Sequence, residues 1–127
     1  MMKTSVLAFA ATAALIGAGA AHAAPGDAAK GKTLFDQQCS LCHSVAPGQE
    51  GAAPNLRGVV GRKAASDAGF TAYTAAIKGS HKVWTPATLD VFLSGPAKYI
   101  PGTAMPITVA SPADRKDLIA YLASQKK

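Results

Sequence analysis

Three stretches of the chain place apolar residues at helical spacing between clear start and stop signals. The first opens at Asp27, a good N-cap after Pro25-Gly26, and runs to about Cys39 with Gly31 and Phe35 four apart on one face. The second opens at Thr85-Pro86, a cap followed by proline at the first helical position. It stacks Leu89, Phe92 and Leu93 on one side and stops at Gly95-Pro96. The third begins Ser111-Pro112-Ala113-Asp114, in the manner of a capping box, and carries Leu118, Tyr121 and Leu122 in one stripe. Between the first and second, glycines at 48, 51, 58, 61, 69 and 79 and prolines at 47 and 54 break any period, leaving a short helical turn near Thr71 to Ile77. No strand alternation and no repeat appear. The pattern predicts an all-α domain of three main helices plus a short one, joined by long loops. A poorly periodic region of this length is uncommon in a compact domain unless it wraps something.

Upstream of these elements the pattern is different. Met1 to Ala23 has Lys3 as its one charge, an apolar run from Ser5 to Ala21, and small residues Ala21 and Ala23 on either side of His22. That is the layout of a secretory signal peptide cleaved after Ala23. A transmembrane anchor is the rival reading, but the run is rich in weakly apolar Ala and Gly and ends without basic residues. The expected organisation is a leader over 1–23 and a single domain over 24–127.

Composition then narrows the class. The 127 residues are 49% hydrophobic and 16% charged, with a formal net charge of +6, which falls to about +5 without Lys3. Beyond the leader the large side chains are few: Phe35, Phe70, Phe92, Tyr73, Tyr99, Tyr121 and Trp84. A bound apolar cofactor would help fill such a core. For an exported domain a basic balance points away from nucleic acid and toward brief docking on acidic surfaces of protein partners. Lys30, Lys32, Lys63 and Lys98 are candidates for that face.

The two cysteines carry the most specific signal. A disulfide between residues three apart would close almost no loop and so constrain the unfolded chain very little. Cys39-Ser40-Leu41-Cys42-His43 instead has the Cys-x-x-Cys-His spacing of covalent c-type haem attachment. Two thiols three apart at the end of a helix face one side, where both can reach the vinyl groups of a porphyrin, and the adjacent imidazole can reach the iron. A redox-active thiol pair lacks its usual βαβ surroundings here, and a zinc site lacks further ligands of suitable type. Beyond the leader Met105 is the sole methionine, held between Pro101 and Pro106, and is the candidate for the sixth iron ligand. His81 sits among Gly79, Ser80 and Lys82 and is expected on the surface.

From Gly31 onward the chain resembles a class I c-type cytochrome of the soluble, mitochondrial-like or bacterial periplasmic kind. The matching pieces include Gly31-Lys32-Thr33-Leu34-Phe35, Pro54-Asn55-Leu56-Arg57-Gly58, Gly61-Arg62-Lys63, Tyr73-Thr74, Trp84, Tyr99-Ile100-Pro101-Gly102-Thr103 with Met105, and Asp117-Leu118-Ile119-Ala120-Tyr121-Leu122. The resemblance implies the cytochrome c fold wrapped around one covalently bound haem on Cys39 and Cys42, with His43 and Met105 as metal ligands. It implies that Pro54 accepts from the second ring nitrogen of His43, and that Arg62, Tyr73, Thr74, Trp84 and Thr103 bind or neutralise the haem propionates. Gly31 and Phe35 would pack the first helix across the last.

Departures from that pattern are local. Phe92 stands where relatives commonly have a tyrosine, Ile77 where they have an asparagine, Ala104 in place of a lysine, and Ile107 in place of an aromatic. The first two remove hydrogen-bonding groups and predict a drier side facing Met105. Lys98 becomes the candidate replacement ligand at high pH. The implied function is a soluble, monomeric periplasmic electron carrier serving respiratory or photosynthetic redox partners. With both axial positions filled by protein, catalysis at the iron is not expected. The contrasting readings are a small peroxidase or gas-binding protein, which needs the Met105 position vacated, and a fixed electron-entry subunit, which needs an extensive apolar surface.

Overall fold

The computed structural model describes residues 25–127. The leader read at residues 1–23 lies outside the described residues. The helices are, in order, α1 (Ala28–Gln38), α2 (Ala75–Gly79), α3 (Pro86–Ser94), α4 (Pro96–Tyr99) and α5 (Pro112–Ser124). Extended pairing among the described residues is limited to one isolated antiparallel bridge between Lys63 and Val83. No helix among them is long and apolar enough to cross a membrane.

The helix starts follow from their caps. The Asp27 carboxylate accepts from the backbone N–H groups of Ala29 and Lys30 at 3.0 and 3.2 Å, satisfying donors that α1 cannot bond internally. At α3 the exchange is reciprocal: Thr85 accepts from the Thr88 N–H at 3.1 Å, and Thr88 accepts from the Thr85 N–H at 2.8 Å. Ser111 caps α5 by accepting from the Asp114 N–H at 3.2 Å.

Two boundaries differ from the sequence expectation. The short helix starts at Ala75 rather than near Thr71, because the Thr74 hydroxyl caps it through the Ile77 N–H at 3.3 Å. Gly95-Pro96 does stop α3, yet Pro96 also opens α4, so there are two short helices and not one. Proline has no N–H to lose at a first helical position, which lets one dipeptide end a helix and begin the next.

α1 and α5 form the scaffold. Gly31 and Phe35 are buried in α1, and Leu118, Ile119, Tyr121 and Leu122 in α5. The Phe35 and Tyr121 rings meet with centroids 5.5 Å apart at a 55° tilt. A Cβ on Gly31 would run into the backbone carbonyl of Asp117 and come within 2.8 Å of the Tyr121 Cβ. The crossing is therefore as close as a glycine permits. The Asp27 N–H donates to the Asp117 carboxylate at 2.7 Å, tying the entrance of α1 to the same turn of α5.

α3 completes the core with Leu89, Phe92 and Leu93, and Phe92 packs on Trp84 at 4.9 Å between centroids. Cys39 and Met105 lean on this core from outside it, both partly buried. Arg115 on α5 holds the end of the Met105 segment. Its guanidinium donates to the carbonyls of Val109 and Ala110, each at 2.9 Å, and to the Asp90 carboxylate of α3 at 2.7 Å.

Candidate haem site

The Cys39–His43 turn grows directly out of α1. The Cys39 and Ser40 N–H groups donate to the Phe35 carbonyl, and those of Cys42 and His43 to the Cys39 carbonyl at 3.1 and 2.9 Å. One further helical turn thus follows the last helical residue. It carries a half-buried Cys39, an exposed Cys42 and a half-buried His43. Burial pushes the Cys39 thiol up to about 11. A reactive thiol pair needs the opposite shift, toward thiolate, so the environment of Cys39 speaks against thiol–disulfide chemistry. Among the described residues no three His, Cys, Asp or Glu side chains converge as a metal site.

His43 is oriented by the loop that follows it. Its Nδ1 lies 2.6 Å from the Pro54 carbonyl oxygen. A carbonyl only accepts, so Nδ1 carries the proton and Nε2 keeps a free lone pair. Burial lowers the imidazole pKa against the smaller opposing effect of the Pro54 bond, which keeps the ring neutral and able to coordinate. Backbone bonds from Ala53 to Cys42 at 3.1 Å and from Leu56 to Ser44 at 2.8 Å clamp the two strands of this loop together. Gly51 belongs to the same clamp: a Cβ there would collide with the Cys42 carbonyl.

A polar arm continues from Pro54. Asn55, 7% exposed, donates its side-chain amide to the Ala46 and Gln49 carbonyls, both at 2.7 Å, and accepts from the Arg57 N–H at 2.8 Å. Its backbone N–H donates to the Asp67 carboxylate at 3.0 Å, and the Tyr73 hydroxyl accepts from the Asp67 N–H at 3.2 Å. Arg62 reaches in from the other side, donating Nη2 to the Asn55 carbonyl at 2.9 Å and Nη1 to the Arg57 carbonyl at 3.3 Å. Backbone pairing of Trp84 with Arg62 at 2.9 Å sets those two residues side by side. The Arg62 Nε–H is buried with no hydrogen-bond partner. A buried unsatisfied donor on a cation marks a place for an anion, and a carboxylate of a bound porphyrin has the required charge and reach.

Of the residues expected at the site, His43 is bonded to Pro54, and the next residue, Asn55, connects by hydrogen bonds to Arg62 and through Asp67 to Tyr73, with Trp84 bonded to Arg62. The Thr74 hydroxyl caps α2 by accepting from the Ile77 N–H, which leaves its own O–H free to donate. Thr103 accepts from the Met105 N–H at 3.4 Å, an interaction inside its own loop. That loop reaches α2 at Gly102, whose φ is +91° and where a Cβ would lie 3.1 Å from that of Ala76. Among the described residues no hydrogen bond joins the 101–110 loop to the 39–74 loop. Their common support is the apolar core, against which both Cys39 and Met105 pack. Lys98, Ala104 and Ile107 are exposed, as is His81, while Phe92 is buried and Ile77 partly so. Sequence reasoning assigned no role to Asn55, Asp67 or Arg115, because most of their partners are backbone atoms that leave no mark in a sequence.

The residues present fit the group that the Cys-x-x-Cys-His spacing calls for: an oriented imidazole with a free Nε2, a thiol in an apolar setting, and a buried cation lacking an anion. Comparison with known proteins agrees. Residues 28–126 match the family model described as Cytochrome c. A cytochrome c of Tetrahymena pyriformis is 47% identical over 100 residues, covering 78% of this chain and 89% of that protein. A cytochrome c2 of Rhodomicrobium vannielii is 44% identical over 115 residues, covering 89% and 90%. The solved structure of cytochrome cH from Methylobacterium extorquens superposes with a TM-score of 0.72 at 39% identity, covering 78% of this chain and 99% of that one. The chain belongs to the cytochrome c family, whose members are electron carriers rather than enzymes and hold one covalently attached haem c.

Proposed function

We propose that this protein is an exported, monomeric carrier that shuttles single electrons in the periplasm, after removal of residues 1–23, between respiratory or photosynthetic redox partners. The observation that carries the site assignment is the 2.6 Å contact of His43 Nδ1 with the Pro54 carbonyl. It leaves Nε2 as the one coordinating atom, one residue after the two thiols. In this reading Cys39 and Cys42 anchor the haem and His43 and Met105 bind its iron. Arg62, Tyr73, Thr74, Trp84 and Thr103 serve the propionates, with Pro54 orienting His43.

A bound haem supplies a reversible one-electron change at iron, and a histidine–methionine ligand pair raises its potential relative to two nitrogen ligands. The chain's own contribution is to hold and to exclude. Pro54 fixes the ring orientation and tautomer of His43, as metal-bound histidines require. Arg62 offsets negative charge that would otherwise be buried unpaired. Phe92 and Ile77 present hydrocarbon where a hydroxyl or amide would draw in water, keeping the surroundings of Met105 dry.

The formal excess of basic residues favours encounter with acidic surfaces at long range. Lys30, Lys63 and Lys98 are exposed and available for this. Lys32 is largely spoken for, since its ammonium pairs with Asp36 at 2.6 Å.

Replacing Met105 by alanine tests the ligand assignment. The ferric wild type is expected to show the near-red sulfur-to-iron charge-transfer band, and Met105→Ala to lose it and gain carbon monoxide binding at neutral pH. A band that survives the substitution contradicts Met105 as ligand.

A further inference from the structure

One peptide group at the site is hydrogen-bonded at both ends, and the ends lead to different kinds of side chain. Its carbonyl, that of Pro54, accepts from His43 Nδ1–H at 2.6 Å. Its N–H, that of Asn55, donates to Oδ2 of Asp67 at 3.0 Å. This peptide is trans, so its C=O and N–H point in opposite directions. A carboxylate, an amide and an imidazole therefore stand in series. A local turn accounts for only half of what Asp67 does. Its Oδ1 accepts from the Gly69 N–H at 3.2 Å, the two-residue reach of an Asx turn. Oδ2 has no part in that turn and goes to Asn55, twelve residues back. The half-buried carboxylate is not neutralised by a cation where it stands, since the ion pairs found among the described residues are Lys32–Asp36 and Arg115–Asp90. Arg62 bonds the next peptide instead, at the Asn55 carbonyl.

Resting on the haem site proposed above, we infer that Asp67 is a positioning residue for the histidine ligand: through the Pro54–Asn55 peptide it strengthens electron donation from His43 and lowers the reduction potential of the haem. A carboxylate that accepts from an amide N–H draws the electrons of that amide toward its oxygen, and hydrogen bonds in a chain strengthen one another. The enriched Pro54 oxygen then holds the Nδ1 proton harder, which leaves more negative charge on the ring and makes Nε2 a more basic ligand. Ferric iron carries one more positive charge than ferrous iron and gains more from a basic ligand, so the oxidised state is favoured. In each cycle one electron arrives from a donor protein and leaves to an acceptor protein, and the proton stays on Nδ1. The Pro54 carbonyl alone would set the orientation of the ring. Asp67 adds to the strength with which the ring donates.

Two variants of the haem-loaded protein test this. Asp67→Asn removes the charge and keeps the size, and Asp67→Ala removes the acceptor altogether. One readout is the proton resonance of His43 Nδ1–H in the diamagnetic ferrous protein, which moves upfield as its hydrogen bond weakens. The other is the ferrous-to-ferric ratio at a fixed applied potential. Both variants are expected to move the resonance upfield and to raise the ratio about threefold. The rise should persist in about 0.5 M salt, which screens charges acting through solvent. Glu50 supplies the comparison: its exposed carboxylate lies over Gly69, two residues from Asp67, and takes no part in the bonds of the Pro54–Asn55 peptide. Glu50→Gln should leave the resonance where it is. A resonance unmoved in both Asp67 variants would overturn the proposal. So would a rise in the ratio that Glu50→Gln matches and salt abolishes, since charge acting through solvent would then suffice. A protein that holds no covalent haem would remove the site reading itself, and the role of Asp67 with it.

Discussion

The α1–α5 crossing and the loop over residues 40–74 support the same site by different physics. The helix pair is held by apolar side chains and by a close approach at Gly31, where even a Cβ meets the Asp117 carbonyl. The loop has little regular structure beyond one bridge, and its conformation rests on side chains bonded to backbone carbonyls, with Asn55 and Arg62 at the centre. Packing of the first kind fails on added volume, whereas the second fails on the loss of a buried donor. A region of each kind reaches the site: α1 delivers Cys39, and the loop orients His43.

Substitutions that attack one mode at a time separate them. Gly31→Val forces a branched side chain into the Asp117 backbone, which cannot rotate away, and is expected to cost about 4 kcal/mol or more in the unfolding free energy of the haem-loaded protein. Denaturant titration reads this directly. Asn55→Ala strands the Ala46 and Gln49 carbonyls and the Arg57 N–H, and is expected to cost about 2–3 kcal/mol by the same measurement. The order of the two is the informative part. If Asn55→Ala proves the costlier, the loop and not the helix crossing is the main support.

The same contrast explains what the sequence discloses. Caps at Asp27, Thr85 and Ser111 announce three helices because a capping side chain bonds the backbone two or three residues away, and that spacing is written in the chain. The Gly31–Phe35 face and the stripe of Leu118, Tyr121 and Leu122 announce their contact in the same way. α4 is hidden because Gly95-Pro96 reads as a stop, and the opening of a helix at Pro96 uses the same two residues. Cys39, Cys42 and His43 are legible because their chemistry depends on spacing alone. Asn55, Asp67 and Arg115 are not, since what they bind lies far along the chain and is mostly backbone. Asn55 reaches back to Ala46 and Gln49, and Arg115 crosses from α5 to Asp90 on α3. Arg62 is intermediate: its presence is visible in sequence, but the unpartnered Nε that gives it meaning is visible only in the fold.

The central claim is that Cys39 and Cys42 hold one haem covalently beside His43. Trypsin should cut after Lys32 and after Arg57, releasing residues 33–57 as a single peptide with both cysteines and His43. Mass spectrometry of the denatured, digested protein is predicted to find that peptide carrying one haem, with neither thiol open to alkylation. Recovery of the same peptide without haem, and with both thiols alkylated or joined as a disulfide, would contradict the account.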